Sequence, residues 1–294
     1  MKNISLFLVI FITTVFFTGC VPTEKRVIEK SPKFTEVNVI DNGCGTQLNE
    51  ASDLAFNDKD NILYIVGDKG KFYKCSVDLK EDSITLDFIS SESIIHDFAS
   101  VDAEGLSMNS QTNELILSTE GNDGNIYPLS KYGVINGKYE LPDILKDASY
   151  KSANKKFEAL TYHNDLGTLT AVEQPINGIK NIDQTIYNMH GDSWSFKAEN
   201  YREASVTAIE TTSDGNLLVL ERAVYKSVNF YITIKKLILN EECKNKSVCS
   251  DEVLYKAFWE GGNFEGMTKI NDTYLIVNDG QARFDSVFKA FKID

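Results

Sequence analysis

Residues 157–173 read FEALTYHNDLGTLTAVE, and this stretch contains the pattern that decides the fold. An acidic residue, Glu158, begins a short apolar run, and a turn containing Asn, Asp and Gly follows it. A second apolar run then ends at another acid, Glu173. Two short apolar runs joined by such a turn are typical of an antiparallel β-hairpin.

The same pattern occurs five times along the chain, at steps of roughly 50 residues, and repeats of such length indicate a repeat architecture. The leading acids of the five repeats are Asp53, Glu104, Glu158, Glu210 and Glu265. The trailing acids are Asp68, Glu120, Glu173, Glu221 and Asp279. Each repeat holds two clear strands and has room for two more, which matches a four-stranded blade. The sequence therefore predicts an all-β protein with the β-propeller fold.

The number of blades follows from the ends of the repeat region. The fifth repeat has room for only three strands before residue 294, whereas Phe34–Ile40, ahead of the first repeat, alternates like a strand and has no blade of its own. We predict that Phe34–Ile40 supplies the fourth strand of the last blade, because this closes the ring and removes an open sheet edge. Five blades is the first interpretation. Six is the alternative, because residues 122–156 and 174–206 leave room for further strands.

The N-terminus has the order of a secretory signal. One positive charge, Lys2, precedes the apolar run Ile4–Phe17, which ends at Thr18-Gly19-Cys20. A transmembrane helix needs roughly 20 apolar residues, so this run is too short to span a membrane. The cysteine directly after Gly19 resembles the bacterial lipoprotein box, although Phe17 stands where that box usually has Leu. The alternative is an ordinary signal peptide with a chance cysteine.

The lipoprotein resemblance implies that Cys20 is acylated and anchors the exported protein to a membrane. We therefore divide the chain into a signal peptide (1–19), a lipidated cysteine with a polar tether (20–33) and a propeller domain (34–294). In a Gram-negative cell, Val21 after the cysteine implies the outer membrane and the periplasm.

Four further cysteines follow Cys20, and an even number in an oxidising compartment favours disulfides. Cys243 and Cys249 close a short loop and form the natural pair, which leaves Cys44 and Cys75 as the second pair. A zinc site is the alternative interpretation. The sequence has no Cys-x-x-Cys pair and only 3 histidines to support it.

The formal net charge of −13 bears on the partners of the protein. An acidic chain without a cluster of Lys and Arg is not expected to bind nucleic acid. Divalent cations or cationic molecules fit better, and simple solubility would also account for the charge. The sequence has no Gly-x-Ser-x-Gly elbow and no Gly-rich phosphate loop.

The ten repeated acids predict a common site. The first strand of each blade lines the central channel of a propeller, so acids at the start of strand one and the end of strand two should share one mouth. We expect this mouth to bind Ca²⁺ or Mg²⁺, since both ions prefer oxygen ligands, with Arg222 and Lys69 as basic neighbours. The alternative is that each acid accepts backbone N–H bonds from the next blade.

Several motifs resemble the phytase-like family, also described as the "esterase-like activity of phytase" domain. They are Phe157–Thr161 with 171–173, Leu218–Arg222, and Asn263–Met267 with 277–279. Asp102–Ser107 fits the second repeat of that family, and the resemblance spans about residues 45 to 290. It implies a propeller and the hydrolysis of phosphate or other esters.

Two function classes follow. The first is a metal-assisted hydrolase of a small-molecule ester or phosphoester, in which Glu158, Glu221 and Glu265 are the catalytic carboxylates and Arg222 contacts the anion. The second is a non-catalytic propeller that binds a ligand or a protein and has a structural central site.

Overall fold

The computed structural model describes residues 29–97, 100–180, 183–199, 204–226, 229–246, 248–260, 262–280 and 286–293. The predicted signal peptide, Cys20 and most of the tether lie outside these residues. The described chain begins with the strands β1 (Glu29–Lys30) and β2 (Phe34–Asn42) and the short helix α1 (Cys44–Gln47).

Fifteen strands of the first four blades and one short helix follow in chain order. Blade one contains β3 (Ala51–Asn57), β4 (Ile62–Gly67), β5 (Lys71–Leu79) and β6 (Ser83–Ser93). Blade two contains β7 (Ala103–Asn109), β8 (Glu114–Thr119) and β9 (Ile126–Leu129), and the helix α2 (Asp143–Lys146) lies between blades two and three. Blade three contains β10 (Phe157–His163), β11 (Gly167–Val172), β12 (Asp183–Asn188) and β13 (Ser193–Lys197). Blade four contains β14 (Ser205–Thr211), β15 (Leu217–Lys226), β16 (Asn229–Leu237) and β17 (Asp251–Glu260).

Blade five contains β18 (Phe264–Ile270), β19 (Thr273–Asn278) and β20 (Phe288–Ile293). Within every blade, successive strands pair antiparallel in chain order. The innermost strands β3, β7, β10, β14 and β18 contact one another in turn, and β18 contacts β3. The ring therefore closes with five blades, as predicted. The six-bladed alternative is wrong, because residues 122–156 contain only β9 and α2, and residues 174–206 contain strands of blades three and four.

Strand β2 closes the ring, as predicted from Phe34–Ile40. Its first half pairs antiparallel with β20, from Phe34 opposite Ile293 to Val37 opposite Ala290. Its second half pairs parallel with β6 of blade one, from Asn38 opposite Ser83 to Asn42 opposite Asp87. Blades five and one therefore share one eight-stranded sheet. Strand β1 adds a short outer strand to β17 of blade four.

Blade two departs from the predicted four strands, since it has three. The segment that would form its outer strand is attached by isolated bridges, between Leu129 and Ile135 and between Ile95 and Val134, and by single backbone hydrogen bonds to β9, such as that from the N–H of Tyr139 to the carbonyl of Ile126 at 2.9 Å. A tight turn precedes this segment, in which the N–H of Gly133 donates to the carbonyl of Ser130 at 2.9 Å.

The turns between the first two strands of the blades share one backbone feature. Each contains a residue with positive φ, either Asn or Gly; the five are Asn61, Asn113, Gly167, Gly215 and Asn271. Asn and Gly tolerate this left-handed conformation better than other residues, which explains the Asx- and Gly-rich turns of the sequence repeat.

The hydrophobic core is divided among the interfaces between neighbouring blades. Five apolar clusters each join residues of two adjacent blades, and together they surround the ring. The cluster between blades three and four, for example, packs Trp194 and Phe196 against Val219 and Leu237. Burial of each such side chain contributes roughly 1.5–3 kcal/mol. The channel and its mouths are therefore held by packing on all five sides.

Both predicted disulfides are present. Cys44 is bonded to Cys75, and Cys243 to Cys249. The first bond connects the segment after β2 to β5 of blade one, beside the closure of the ring. The second closes the short loop before β17. Within the described ranges there is no helix with both the length and the hydropathy needed to cross a membrane.

Candidate metal centre

A β-bulge near the start of each inner strand turns one side chain toward the same mouth of the channel. The strand register shifts between Ala51 and Asp53 in blade one, and at the corresponding point of the other four blades. The residues within these bulges are Ser52, Glu104 with Gly105, Glu158, Thr207 and Glu265. Because bulges re-aim side chains, three acids face the mouth from blades two, three and five.

A second ring of residues follows the second strand of each blade. The register pairs Phe157 with Val172 in blade three and Val206 with Glu221 in blade four, so Glu221 corresponds to Val172 and not to Glu173. The residue that corresponds to Glu173 is Arg222. The five equivalent positions are Asp68, Glu120, Glu173, Arg222 and Asp279.

The structure therefore corrects the expectation that all ten acids share one mouth. Seven of them gather there: Asp68, Glu104, Glu120, Glu158, Glu173, Glu265 and Asp279. We call these seven, together with Asp102, the acidic mouth. Asp53, Glu210 and Glu221 lie elsewhere, because sequence spacing alone placed them one to three positions away from the structurally equivalent residues.

Asp53 lies inside the channel and is a structural acid. It occupies the strand position at which blades three and four have Ala159 and Ala208 and blade five has Gly266. Its carboxylate accepts the N–H groups of Leu106 in blade two at 2.8 Å and of Met267 in blade five at 3.0 Å. Burial raises its pKa well above the usual range, although the backbone N–H bonds oppose this effect.

Glu210 lies near the opposite end of the inner strands. Its Oε1 accepts hydrogen bonds from the N–H of Thr211 at 2.7 Å and the hydroxyl of Thr161 at 3.1 Å. Burial raises the pKa of Glu210 to about 7, while Thr211, Thr161 and Lys269 lower it. Glu210 therefore does not belong to the acidic mouth.

Glu221 faces the interface between blades three and four. Its Oε2 lies 3.4 Å from Nζ of Lys235, a buried lysine that also contacts Asp251 at 3.1 Å. The N–H of Glu199 donates to the same Oε2 at 3.1 Å. Burial raises the pKa of Glu221 to about 7, with Lys235 opposing the shift. These contacts give Glu221 a structural surrounding that is separate from the acidic mouth.

Arg222 is the central cation of the acidic mouth. Its guanidinium donates to Oε1 of Glu173 at 3.1 Å and to Oδ1 of Asn263 at 2.7 Å, and it also donates to Glu265. Its Nη2 lies 3.9 Å from Oε1 of Glu158. Burial disfavours the charge of Arg222, but the surrounding carboxylates, Glu265 first, raise its pKa further above the usual value. Arg222 thus joins blades three, four and five.

Asn263 and two lysines supply the other donors, and sequence reasoning did not single them out. The Asn263 amide donates to Glu265 at 2.7 Å and to Asp279. Lys155 forms an ion pair with Glu173, and the backbone N–H of Lys156 donates to Glu120. Asn263, Lys156 and Asp102 directly precede an inner strand, and Lys155 lies one residue earlier. Their position next to the repeated acids is the sequence feature that could have identified them.

Lys69, the other expected basic neighbour, turns away from the cluster. Its side chain is 70% exposed and pairs with Glu50.

Two acids of the mouth have few or no favourable partners. Glu158 is 7% exposed and accepts no hydrogen bond from the described residues; its ion pair with Arg222 is long. Glu104 has neither a hydrogen bond nor an ion pair within the described chain. Burial raises the pKa of both residues well above the usual range, and neighbouring acids raise it further. Burial likewise raises the pKa of Glu120 to about 7 and that of Glu265 to about 8.

The arrangement could hold a metal ion. Carboxylate oxygens of Asp102, Glu104 and Glu120 lie within 4.8 Å of one another, and so do those of Glu120, Glu158 and Glu173. An excess of carboxylates over cations is costly in a buried site unless protons or a cation neutralise it. An all-oxygen donor set fits a hard divalent cation.

The phytase-like family, described as "Esterase-like activity of phytase", matches residues 46–280. The chain belongs to this family. The resemblance noted in the sequence is thereby confirmed. The repeated Glu-Gly pairs of this phytase-like chain have a structural reason: a Cβ on Gly105 would lie 2.8 Å from Cβ of Leu160, and one on Gly266 would lie 2.7 Å from Cα of Asp53. The bulged inner strands approach too closely for a larger residue.

Solved propeller structures are also similar to this phytase-like chain. The holo PQQ domain of pyranose dehydrogenase from Coprinopsis cinerea is 8% identical, with a TM-score of 0.47 over 92% of this chain and 98% of that chain. The β-propeller domain of Myceliophteria thermophila Cps50 (Swd1) is 10% identical, with a TM-score of 0.40 over 89% and 100%. The WD40 propeller domain of Doa1 is 10% identical, with a TM-score of 0.38 over 84% and 94%.

The five-bladed ring is shown by the strand pairing and the contacts between the inner strands of the chain itself. A comparison with curated proteins found no match.

Proposed function

We propose that this phytase-like propeller is a divalent-metal-assisted hydrolase of phosphate or other esters, with its active site at the acidic mouth. One observation carries the proposal: Glu104 and Glu158 point into a crowded carboxylate cluster without a hydrogen bond from the described residues. Glu158 is buried and Glu104 is half-buried, and carboxylates removed from water are normally paired or coordinate a metal, so this half of the mouth is suited to a cation. The family description supports ester hydrolysis.

The cation site in this proposal lies between blades two and three. Glu120 belongs to both oxygen groups, with Asp102 and Glu104 on one side and Glu158 and Glu173 on the other. Ca²⁺ is the first candidate and Mg²⁺ the second, because Ca²⁺ accepts more carboxylates and a less regular geometry. The bound cation would polarise a phosphoryl or acyl oxygen of the substrate.

The residues of the chain have separate roles in this reaction. Glu120, which belongs to both oxygen groups, and Glu158 are the proposed cation ligands. Glu265 holds Arg222 in place, and Arg222 supplies positive charge next to the ester. Glu221 is left out of the proposed active site, because it pairs with Lys235 in another interface.

A binding propeller without catalysis is the second candidate, and the contacts of Arg222 favour it. Three groups, on Glu173, Asn263 and Glu265, already accept hydrogen bonds from this guanidinium. An anionic substrate would have to compete with these contacts. In this second proposal the cation site is structural, or it captures a ligand.

The two candidates are separated by one set of assays. The mature chain carrying Cys20→Ser is tested with p-nitrophenyl phosphate and p-nitrophenyl acetate, in Ca²⁺, in Mg²⁺ and in EDTA. Cation-dependent turnover that Glu158→Gln abolishes and Glu210→Gln retains would support the hydrolase. A rise of the melting temperature with Ca²⁺, lost in Glu158→Gln and without turnover of either ester, would support the binder. Neither turnover nor a cation-dependent shift would overturn both.

We further propose that Cys20 is acylated and holds the propeller at a membrane, the outer membrane in a Gram-negative cell. The support is the sequence Thr18-Gly19-Cys20 after an apolar run, followed by a polar tether up to β2. Metabolic labelling with a palmitate analogue should mark the wild type and not Cys20→Ser. Equal labelling of both proteins would contradict the anchor.

A further inference from the structure

The first strand of the described chain has a fixed direction relative to the acidic mouth. β17 of blade four ends at Glu260, and Asn263, which donates to two acids of the mouth, follows three residues later. β17 therefore runs toward the mouth. β1 pairs antiparallel with β17, and Glu29 lies opposite Lys256. β1 therefore runs away from the mouth, and its N-terminal end, Glu29, points toward the mouth face of the ring.

The length of the tether favours the mouth face over the opposite face. Cys20 precedes Glu29 by nine residues, and an extended chain spans at most about 3.6 Å per residue, so the two lie within about 32 Å of each other. From the level of Glu29, the mouth end of β17 at Glu260 is four residues away, which is about 13 Å along the strand.

The opposite end of β17 is harder to reach. Asp251 lies five residues from the level of Glu29, and the chain would first have to reverse its direction. A reversing turn takes about two to five further residues, so almost none of the nine would remain to pass the loop 238–250 on that face. A lipid on Cys20 is therefore expected on the mouth side of the ring.

Two exposed valines lie at the mouth face of blades four and five. β15 continues past Arg222, the last of its residues to pair with β14, and Val224 in this extension is 52% exposed. Val287 is 46% exposed, and its N–H donates to Oδ1 of Asn278, the residue directly before Asp279 of the mouth. Both valines are thus close to the mouth in the chain and accessible from outside.

A third exposed apolar side chain lies on blade three, the other neighbour of blade four. Ile179 lies six residues after Glu173 of the mouth, in a turn where its N–H donates to the carbonyl of Ile176 at 3.0 Å. It is 39% exposed, and Lys180 directly after it is exposed as well. An apolar side chain beside a cation is the combination by which interfacial segments bind an anionic membrane.

We propose that the face of the ring with the acidic mouth lies against the membrane, with Ile179, Val224 and Val287 in contact with lipid. Single exposed apolar residues are common on protein surfaces. These three are assigned to lipid because they lie on the face, and on the blades, nearest to the tether. This orientation requires acylation of Cys20, as proposed above, and does not require hydrolysis at the mouth.

The test uses the full acylated chain in vesicles of phosphatidylethanolamine and phosphatidylglycerol. Ile179→Cys, Val224→Cys and Val287→Cys are each labelled with bimane, and a doxyl-labelled lipid in the vesicles quenches only fluorophores at the lipid surface. We expect loss of fluorescence from all three labels. The control is Thr112→Cys, which should keep its fluorescence, because Thr112 is exposed in the turn between β7 and β8 at the opposite face.

Flotation with the vesicles separates the anchor from the orientation. A chain that floats, but whose three labels are quenched no more than the label at Thr112, overturns the orientation and leaves the anchor intact. A wild type that fails to float, as is expected of Cys20→Ser, overturns the anchor and the orientation with it. Melting curves verify that the labelled variants remain folded. Ester turnover is measured separately, so a lack of hydrolysis does not count against the orientation.

Discussion

Arg222 and Glu173 occupy equivalent positions in neighbouring blades, and Nη2 of Arg222 donates to Oε1 of Glu173 at 3.1 Å. Blade four therefore contributes a positive charge at the position where the other four blades contribute a carboxylate. The replacement of a carboxylate by Arg222 in blade four divides the acidic mouth into two parts. Glu173, Glu265 and Asp279 accept hydrogen bonds from Arg222 or Asn263, whereas Glu104 and Glu158 accept none from the described residues and are ligands of the proposed cation site.

The first prediction concerns the removal of this internal cation. Arg222→Gln should lower the free energy of unfolding by about 3–5 kcal/mol in EDTA, because it leaves buried carboxylates without their partner. Added Ca²⁺ should raise the melting temperature of this variant more than that of the wild type, since a second cation could then enter. Lys69→Gln is the matched control: Lys69 is exposed and its ion pair among the described residues is with Glu50, outside the acidic mouth, so its melting curve should not change. Equal melting temperatures for Arg222→Gln and wild type would contradict the role of Arg222.

The second prediction is that Glu158→Gln has opposite effects with and without a cation. In EDTA the variant should melt at or above the temperature of the wild type, because a neutral amide removes the repulsion between the Glu158 carboxylate and the neighbouring acids. In Ca²⁺ it should lose the stabilisation that the wild type gains by binding the ion. Glu221→Gln should instead melt lower in both conditions, because it removes a partner of the buried Lys235. A full Ca²⁺ response in Glu158→Gln would rule out this cation site.

The third prediction is a pH dependence whose sign follows from the raised pKa values. Burial raises the pKa of Glu120 to about 7 and of Glu265 to about 8, above the ordinary value of 4.5. A carboxyl with a raised folded-state pKa favours the folded state below its unfolded-state pKa, and this contribution is lost as the pH rises through the folded-state pKa. In EDTA the melting temperature should therefore fall between about pH 5 and pH 8. Saturating Ca²⁺ should flatten this fall, because the ion replaces the protons. A melting temperature in EDTA that rises over this range would contradict the prediction.

These predictions depend on which residues occupy the bulges, and the spacing of acids in the sequence identifies those residues in three of the five blades. The repeats Glu104-Gly105-Leu106, Glu158-Ala159-Leu160 and Glu265-Gly266-Met267 have the acid in the bulge, and here the sequence pattern coincides with the structure. In blades one and four the bulge holds Ser52 and Thr207, which are not acidic. The sequence pattern therefore assigns the nearest acids, Asp53 and Glu210, to these positions. A bulge shifts the pairing by one residue and leaves no fixed signature in the sequence.

The fold was more predictable than the site, for a physical reason. The number of blades follows from the long repeats and from the strand Phe34–Ile40, which belongs to no repeat of its own, and both are properties of whole segments. The members of the acidic mouth depend on single residues before the inner strands. Asp102 and Asn263 lie there because the chain enters each blade at the same face, although they belong to no apolar run.

The fourth prediction concerns the bond across the channel. Asp53→Ala should lower the free energy of unfolding by roughly 2–4 kcal/mol, because the N–H groups of Leu106 and Met267 lose their acceptor inside the protein. Asp58→Ala is the control, since Asp58 is exposed and directly follows the last residue of β3, the strand that contains Asp53. Urea unfolding of both variants measures the difference. If Asp53→Ala unfolds at the same urea concentration as Asp58→Ala, then Asp53 does not hold the inner strands together.

The fifth prediction separates the two disulfides. Cys44 and Cys75 are 31 residues apart, and Cys243 and Cys249 are 6 apart. In the chain-entropy estimate, the longer loop contributes roughly 3–4 kcal/mol and the shorter one about 2 kcal/mol. The double variant Cys44→Ser/Cys75→Ser should therefore unfold at a lower urea concentration than Cys243→Ser/Cys249→Ser. The difference should be enlarged because the first bond lies next to β2, the strand that pairs with both β20 and β6. If the two double variants lose the same stability, or if the second loses more, then the bond beside the ring closure does not reinforce it.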